Sequence, residues 1–262
     1  MIQTRYRPKR HYMDTLQTAI SREMRDNLVD YLVGVRVDLS LSRDSVFLAV
    51  NYLDRFLSKR VVTSTTLDSV CLAALLVSTK YEEVAPPDVL DLTRLLEGQF
   101  TPDDLLDMER ELLTTLAFKL NVATIESFLP LAMAAAGIVN PDPVTTIHVE
   151  HVAWMAIADY DVAHMHLASV LAGASVIVAA EVFGAGGAVA HAAAGGSGHR
   201  AVVTHEQADQ MWDGVCKWLG QDAARELAGA VSGLRRALRK PRMNIQRCTE
   251  LALRAASKAV EA

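Results

Sequence analysis

Few residue patterns in this chain are suited to carrying out a reaction. His164 and His166 lie two positions apart and diverge on a helix, whereas His148 and His151, three apart, can share a helical face. His191, His199 and His205 fall in or near a Gly- and Ala-rich tract. No CxxC pair accompanies them, and no metal site is expected. Cys71, Cys216 and Cys248 are odd in number and far apart, so no disulfide framework is expected and a reducing compartment fits. There is no GxxxxGK(S/T), no GxGxxG after a strand, no GxSxG and no HExxH. Neither a catalytic residue nor a cofactor is expected, and the chemistry left to the protein is binding.

The charges that stand out are those set into an apolar pattern. The stretch Leu67 to Glu83 reads LDSVCLAALLVSTKYEE, apolar on every face from Val70 to Val77, and stops at Lys80, Tyr81, Glu82 and Glu83. A helix apolar all round must be wrapped by others, so this stretch reads as a central scaffold that holds a charged surface cluster at its end. Glu109 follows Leu105 by four and precedes Leu112 by three, on or beside an apolar stripe. It is either a solvated helix-edge carboxylate or one placed at a patch edge for a partner. Arg25 precedes Leu28, Val29 and Leu32 by three, four and seven positions, and Asp54 follows Val50 and Phe47 by four and seven. Both therefore point inward. Opposite charges buried on adjacent helices need one another, which predicts a structural Arg25–Asp54 ion pair.

The elements that must position these groups are helical. The chain has 262 residues, is 51% apolar with 6% aromatics, and shows no strand-like alternation. The predicted first set is Arg22–Val37, Arg43–Ser58 capped by Ser42, the central stretch beginning after Thr63 or Ser64, Asp88–Leu96, and a helix to Leu116 opened by Thr101 and Pro102. A second set follows: one helix from Thr124, then Val144–Tyr160, Leu167–Phe183, Glu206–Leu219 and Ala223–Leu238. Leu167–Phe183 repeats the all-apolar device, so the expectation is an all-α protein of two tandem five-helix units. Their limits are an N-terminal extension 1–21, units 22–121 and 122–240, and a C-terminal helix or tail 241–262. Met1–Tyr12 reads as a solvated tail, with a nuclear-import signal as the sharper alternative, and Gly184–Arg200 as a flexible loop.

The net charge of −5 gives the whole chain no electrostatic reason to seek nucleic acid. The longest apolar run, Leu167–Ala180, is too short for a membrane span, and residues 1–12 lack a signal-peptide core. A soluble intracellular protein is expected.

The motifs resemble one family. MRDNLVDYL (Met24–Leu32), VNYLDRFLS (Val50–Ser58), STKYEEVAPP (Ser78–Pro87) and MERELLTTLAFKL (Met108–Leu120) have the order and spacing of the cyclin box. They resemble A- or B-type cyclins more than D-type. ATIESFL (Ala123–Leu129) and ASVLAGAS (Ala168–Ser175) extend the likeness more loosely. The resemblance implies two stacked cyclin folds and a regulatory, non-catalytic subunit that activates a cyclin-dependent kinase in nucleus and cytoplasm and promotes cell-cycle progression. It further implies that Lys80 and Glu109 form a charged pair against the kinase's regulatory αC helix, with Tyr81, Glu83, Leu113, Phe118 and Leu120 around it. The family's docking patch for RxL-type substrate or inhibitor peptides maps onto Met24, Leu28 and Tyr31. Tyr31 stands for the usual Trp, Asn27 for an apolar residue and Gly34 for an acid, while Ser64 and Asp68 replace Arg and Gln, so docking is expected to be weakened. No RxxLxxxxN degradation signal precedes position 22, which suits a virus-encoded or a truncated member equally. The alternative function is a cyclin-fold transcription regulator, either a transcriptional-kinase cyclin or a factor that binds DNA or a polymerase.

Overall fold

The computed structural model describes residues 6–95, 99–184 and 204–261. All regular elements among them are helices. They fall into two compact units, Met1–Thr124 and Ile125–Ala262.

The first unit runs α1 (Tyr12–Thr15), α2 (Arg22–Asp38), α3 (Arg43–Leu57), α4 (Ser64–Glu82), α5 (Val89–Arg94) and α6 (Pro102–Thr115). Side chains that satisfy the orphan N–H groups set most of the helix starts. Ser21 accepts from Met24 N–H, Ser42 from Ser45 N–H and Asp88 from Val89 N–H. Thr63 with Thr66, and Thr101 with Asp104, form capping boxes. The core is built on α4, whose residues Ser69 to Thr79 are all buried, with α3 and α6 packed against it. Ala73 and Ala74 are wholly buried and let those neighbours approach. The buried hydroxyls of Ser78 and Thr79 donate to the carbonyls of Leu75 and Leu76 at 2.9 and 3.0 Å, so they cost the core little.

The N-terminal extension corrects one expectation. Tyr12 is not solvated: it is 1% exposed, because its ring fills the unit's core and its hydroxyl meets a buried carboxylate. Gln17 is buried as well. Its Nε2 donates to the carbonyls of Leu57 (2.6 Å) and Arg60 (2.7 Å), and its Oε1 accepts from Val62 N–H (3.2 Å). This one amide closes the end of α3 and the turn after it.

The second unit runs α7 (Ile125–Ala135), α8 (Pro143–Ala158), α9 (Tyr160–Ala163), α10 (Ala168–Phe183), α11 (His205–Leu219), α12 (Gln221–Ala237) and α13 (Met243–Glu261). Here α10 is the buried axis, wrapped by α7, α8, α11 and α12, while α13 packs on α8. Two glycines permit the closest approaches. A Cβ on Gly173 would lie 2.6 Å from Val215 Cγ1, and one on Gly214 2.0 Å from the Ala135 carbonyl oxygen. Gly184 ends α10 in the left-handed conformation. The rest of the Gly/Ala/His tract, with His191 and His199, lies outside the described residues, as do Leu96 and the first five positions.

Candidate functional site: a charged ridge on the first unit

Lys80 sits in the last turn of α4, and Glu109 lies midway along α6. The packing of α6 on α4 brings them together: Lys80 Nζ is 2.7 Å from Glu109 Oε1 and 2.9 Å from Oε2. The pair is asymmetric. The lysine side chain is 44% exposed and the glutamate 13%, so a recessed carboxylate anchors an ammonium that faces outward.

Exposed aromatic side chains occur on α4 and just beyond α6. Tyr81 is 48% exposed, and Phe118 is 69% exposed on the turn after α6. That turn is unusual. Ala117 and Phe118 both have left-handed backbone angles, φ +53° and +54°, which costs non-glycine residues roughly 1–2 kcal/mol each. Phe118 N–H still bonds the Leu113 carbonyl at 3.0 Å, and the Leu120 carbonyl accepts the Tyr52 hydroxyl at 2.8 Å. The strained turn is thus pinned at both ends, with Leu113 and Leu120 half-buried beside it.

Glu83 is bonded within the unit. Its Oε1 accepts from the Ser42 N–H at 2.7 Å and the Ser45 hydroxyl at 2.6 Å, so it ties the end of α4 to the start of α3. Burial works to raise its pKa, but these hydrogen bonds hold the carboxyl below its ordinary value.

In the core of the same unit, Arg25 is fully buried. Its Nε and Nη2 grip Asp54 Oδ1 and Oδ2 at 3.0 and 2.7 Å, and its Nη1 lies 3.4 Å from Asp26. Burial alone would lower the arginine's pKa; the charge of Asp54 and its hydrogen bonds carry it upward instead. On α2, Met24, Leu28 and Tyr31 are all half-buried, one helical face apart. The Tyr31 hydroxyl donates to the Leu95 carbonyl at 3.1 Å, which ties part of this patch to the end of α5. Burial, with the nearby Cys71, Asp38 and Asp68, raises its pKa.

Elsewhere, His148 stacks on Phe183 at 4.5 Å and His151 meets the same ring edge-on at 5.7 Å. His151 Nδ1 lies 2.8 Å from the Thr249 hydroxyl. His164 is buried, with Nδ1 3.0 Å from the Tyr160 carbonyl. Among the described residues no group of three His, Cys, Asp or Glu is placed to hold a metal ion, and no helix is long and apolar enough to cross a membrane.

The first unit is thus a helical bundle built round one buried helix, with an ion pair and Tyr81 exposed at that helix's C-terminal end. Residues 2–121 match the family model described as "Cyclin, N-terminal domain", so the first unit belongs to the cyclin family. It is 32% identical over 181 residues to Cyclin-A1-4 of Oryza sativa subsp. japonica, covering 68% of this chain and 50% of that protein. It is 45% identical over 127 residues to Cyclin-A1 of Mus musculus, covering 48% of this chain and 30% of that one. The chain therefore spans half or less of these relatives. In fold it is similar to a viral cyclin from herpesvirus saimiri, with TM-score 0.63 and 19% identity over 84% of this chain and 89% of the other.

Proposed function

We propose that this chain is a regulatory subunit that binds and activates a cyclin-dependent protein kinase, and so promotes cell-cycle progression from nucleus and cytoplasm. The second unit is read as a second cyclin box on the α10 axis. The observation that carries the proposal is the Lys80–Glu109 pair: an outward ammonium anchored by a recessed carboxylate, with Tyr81 exposed next to it in sequence and Phe118 exposed on the turn that ends Glu109's helix. Such a surface suits the helix of a kinase that must be held in its inward position. Holding it there lets the helix's glutamate pair with the kinase's ATP-site lysine, a shift between two pre-existing states. The cyclin adds no catalytic atom. Leu113 and Leu120 complete the contact, whereas Glu83 supports it by fixing α4 to α3. Met24, Leu28 and Tyr31 form a shallow patch for RxL-type peptides, weakened because the Tyr31 hydroxyl is already engaged.

The test is co-purification of the full chain with a panel of cyclin-dependent kinases, followed by phosphorylation of a proline-directed substrate. At least one kinase is expected to be retained and switched on. A panel in which every kinase passes through unbound and stays inactive overturns the reading. DNA retention that weakens with salt would favour the transcription-factor alternative instead.

A further inference from the structure

Many cations of the first unit meet a carboxylate: Arg22 with Asp14, Arg25 with Asp54, Arg60 with Glu111, Lys80 with Glu109, Arg94 with Asp91 and Arg110 with Asp107. Lys9, Arg55, Lys59 and Lys119 do not; among the described residues none of the four has an ion pair. Three separate parts of the chain converge here: Lys59 Nζ reaches the Thr115 carbonyl, four residues before Lys119, and the Tyr6 ring, three residues before Lys9, lies over Arg55. Lys9 comes from the extension, Arg55 and Lys59 from the last turn of α3 and the residues after it, and Lys119 from the strained turn after α6. Burial, then the charges of Arg55, Lys119 and Lys9, lower the pKa of Lys59.

Arg55 is the unusual member. It is 5% exposed, and a buried charge is ordinarily paired. Of its five N–H donors, one reaches Asn51 Oδ1 at 3.3 Å, and the Tyr6 ring lies 5.4 Å from its Cζ. Lys59 Nζ donates to the Thr115 carbonyl at 2.8 Å, which closes the end of α6. That contact explains one bond of one lysine. Among the described residues the buried guanidinium and the exposed Lys119 and Lys9 have no ion pair.

We propose that Arg55, Lys59, Lys119 and Lys9 form a docking site for a phosphorylated serine or threonine in a peptide segment of a partner protein. One buried guanidinium with three exposed lysines on the converging segments makes a compact site. A phosphoryl dianion with three acceptor oxygens matches it, because the arginine fork binds such groups bidentately. A nucleic acid strand calls for a track of spaced cations, whereas Arg60, the residue after Lys59, already faces Glu111 at 4.0 Å. Lys119 lies between Phe118 and Leu120 of the proposed kinase contact, but phosphopeptide binding needs no kinase and can be tested on the chain alone.

The experiment is fluorescence anisotropy of the full chain with a labelled Gly/Ser/Ala peptide carrying one phosphothreonine, its unphosphorylated twin, and a single-stranded DNA oligomer. The phosphorylated peptide is expected to bind about tenfold tighter than its twin or better, and inorganic phosphate should compete. Lys59→Ser with Lys119→Ser changes two exposed side chains and should remove most of that preference. Arg55→Lys keeps the charge but loses the fork, and should weaken binding further. If Arg55→Lys does not fold, the double lysine variant decides the matter. Equal affinity for the two peptides overturns the proposal, as does a preference that survives the double variant. DNA binding that depends on the two lysines, with the phosphopeptide ignored, also overturns it.

Discussion

The Tyr12 hydroxyl and the Arg25 Nε donate to the same carboxylate oxygen of Asp54, at 2.8 and 3.0 Å, so the extension and α2 are fastened to α3 at one buried atom. This makes the pair a triad and ranks its members. Tyr12→Phe removes one donor and leaves Asp54 still held by arginine, at a cost of about 1–1.5 kcal/mol. Arg25→Ala leaves a carboxylate buried and uncompensated, at roughly 3–5 kcal/mol. Urea unfolding of both variants checks the order. Equal losses would show that the tyrosine hydroxyl is as important as the charge.

Two glycines in the second unit should respond to alanine with opposite sign. A Cβ at Gly214 would sit 2.0 Å from a backbone oxygen, which cannot rotate away. Gly214→Ala is expected to destabilise by about 1–3 kcal/mol, the usual scale of overpacking. Gly229 lies exposed within α12, and its added Cβ would meet only the His166 ring at 3.4 Å. Gly229→Ala should stabilise by roughly 0.5–1 kcal/mol, because the unfolded chain loses freedom. Thermal melts that move in the same direction for both would contradict this packing.

What could be read in the sequence follows from what periodicity and capping encode. Thr101-Pro102 and Ser42 announce helix starts, and α4 and α10 declare themselves by lacking a polar face. Arg25 and Asp54 are legible because a charge on an apolar stripe has few alternatives to pairing. Glu109 was ambiguous for the same physical reason in weaker form: it lies on the stripe's edge, where solvent and Lys80 both compete for it. Tyr12 and Gln17 give no signal, since their partners, Asp54 and the Leu57 carbonyl, are about forty residues away and the short extension that carries them has no helical period of its own. Glu83 is the same case, a cap reaching across 41 positions to Ser42. The left-handed Ala117 and Phe118 were hidden because no glycine marks that turn.

Glu83 should give the fold a measurable acid dependence. Its folded pKa lies below the ordinary 4.5 because the Ser45 hydroxyl and Ser42 N–H bonds outweigh burial. A carboxyl lowered on folding binds fewer protons folded than unfolded, so its contribution is fully present above about pH 4.5 and is lost as pH falls through the folded value. Glu83→Gln should therefore be less stable than the parent at pH 7 and converge with it in strong acid. A gap that stays constant with pH would mean that the carboxylate charge is not what those donors recognise.

His151 makes the contrasting case in the second unit. Burial, with a smaller push from His148, lowers its pKa from 6.5 to about 4. A histidine held neutral on folding binds fewer protons folded than unfolded between these values. Stability is therefore full above pH 6.5 and declines as pH falls toward 4. The shift corresponds to a loss on the order of 3 kcal/mol. His151→Gln keeps a group able to bond Thr249 and cannot titrate. Its stability should stay flat over that window while the parent's falls, and parallel curves would place the acid sensitivity elsewhere.

The Lys80–Glu109 pair calls for a charge exchange, because two roles predict different results. Exposed ion pairs contribute about 0–1 kcal/mol, so Lys80→Glu should fold nearly as well as the parent even though it sets two carboxylates together. Combining it with Glu109→Lys restores an internal pair and should recover any lost stability. If the pair were only structural, the double variant would behave as the parent in every assay. On the proposed reading it presents a carboxylate where the kinase helix expects an ammonium, so kinase retention should fall for the single variant and stay low for the double. Recovery of kinase activation together with stability in the double variant would remove these two residues from the interface.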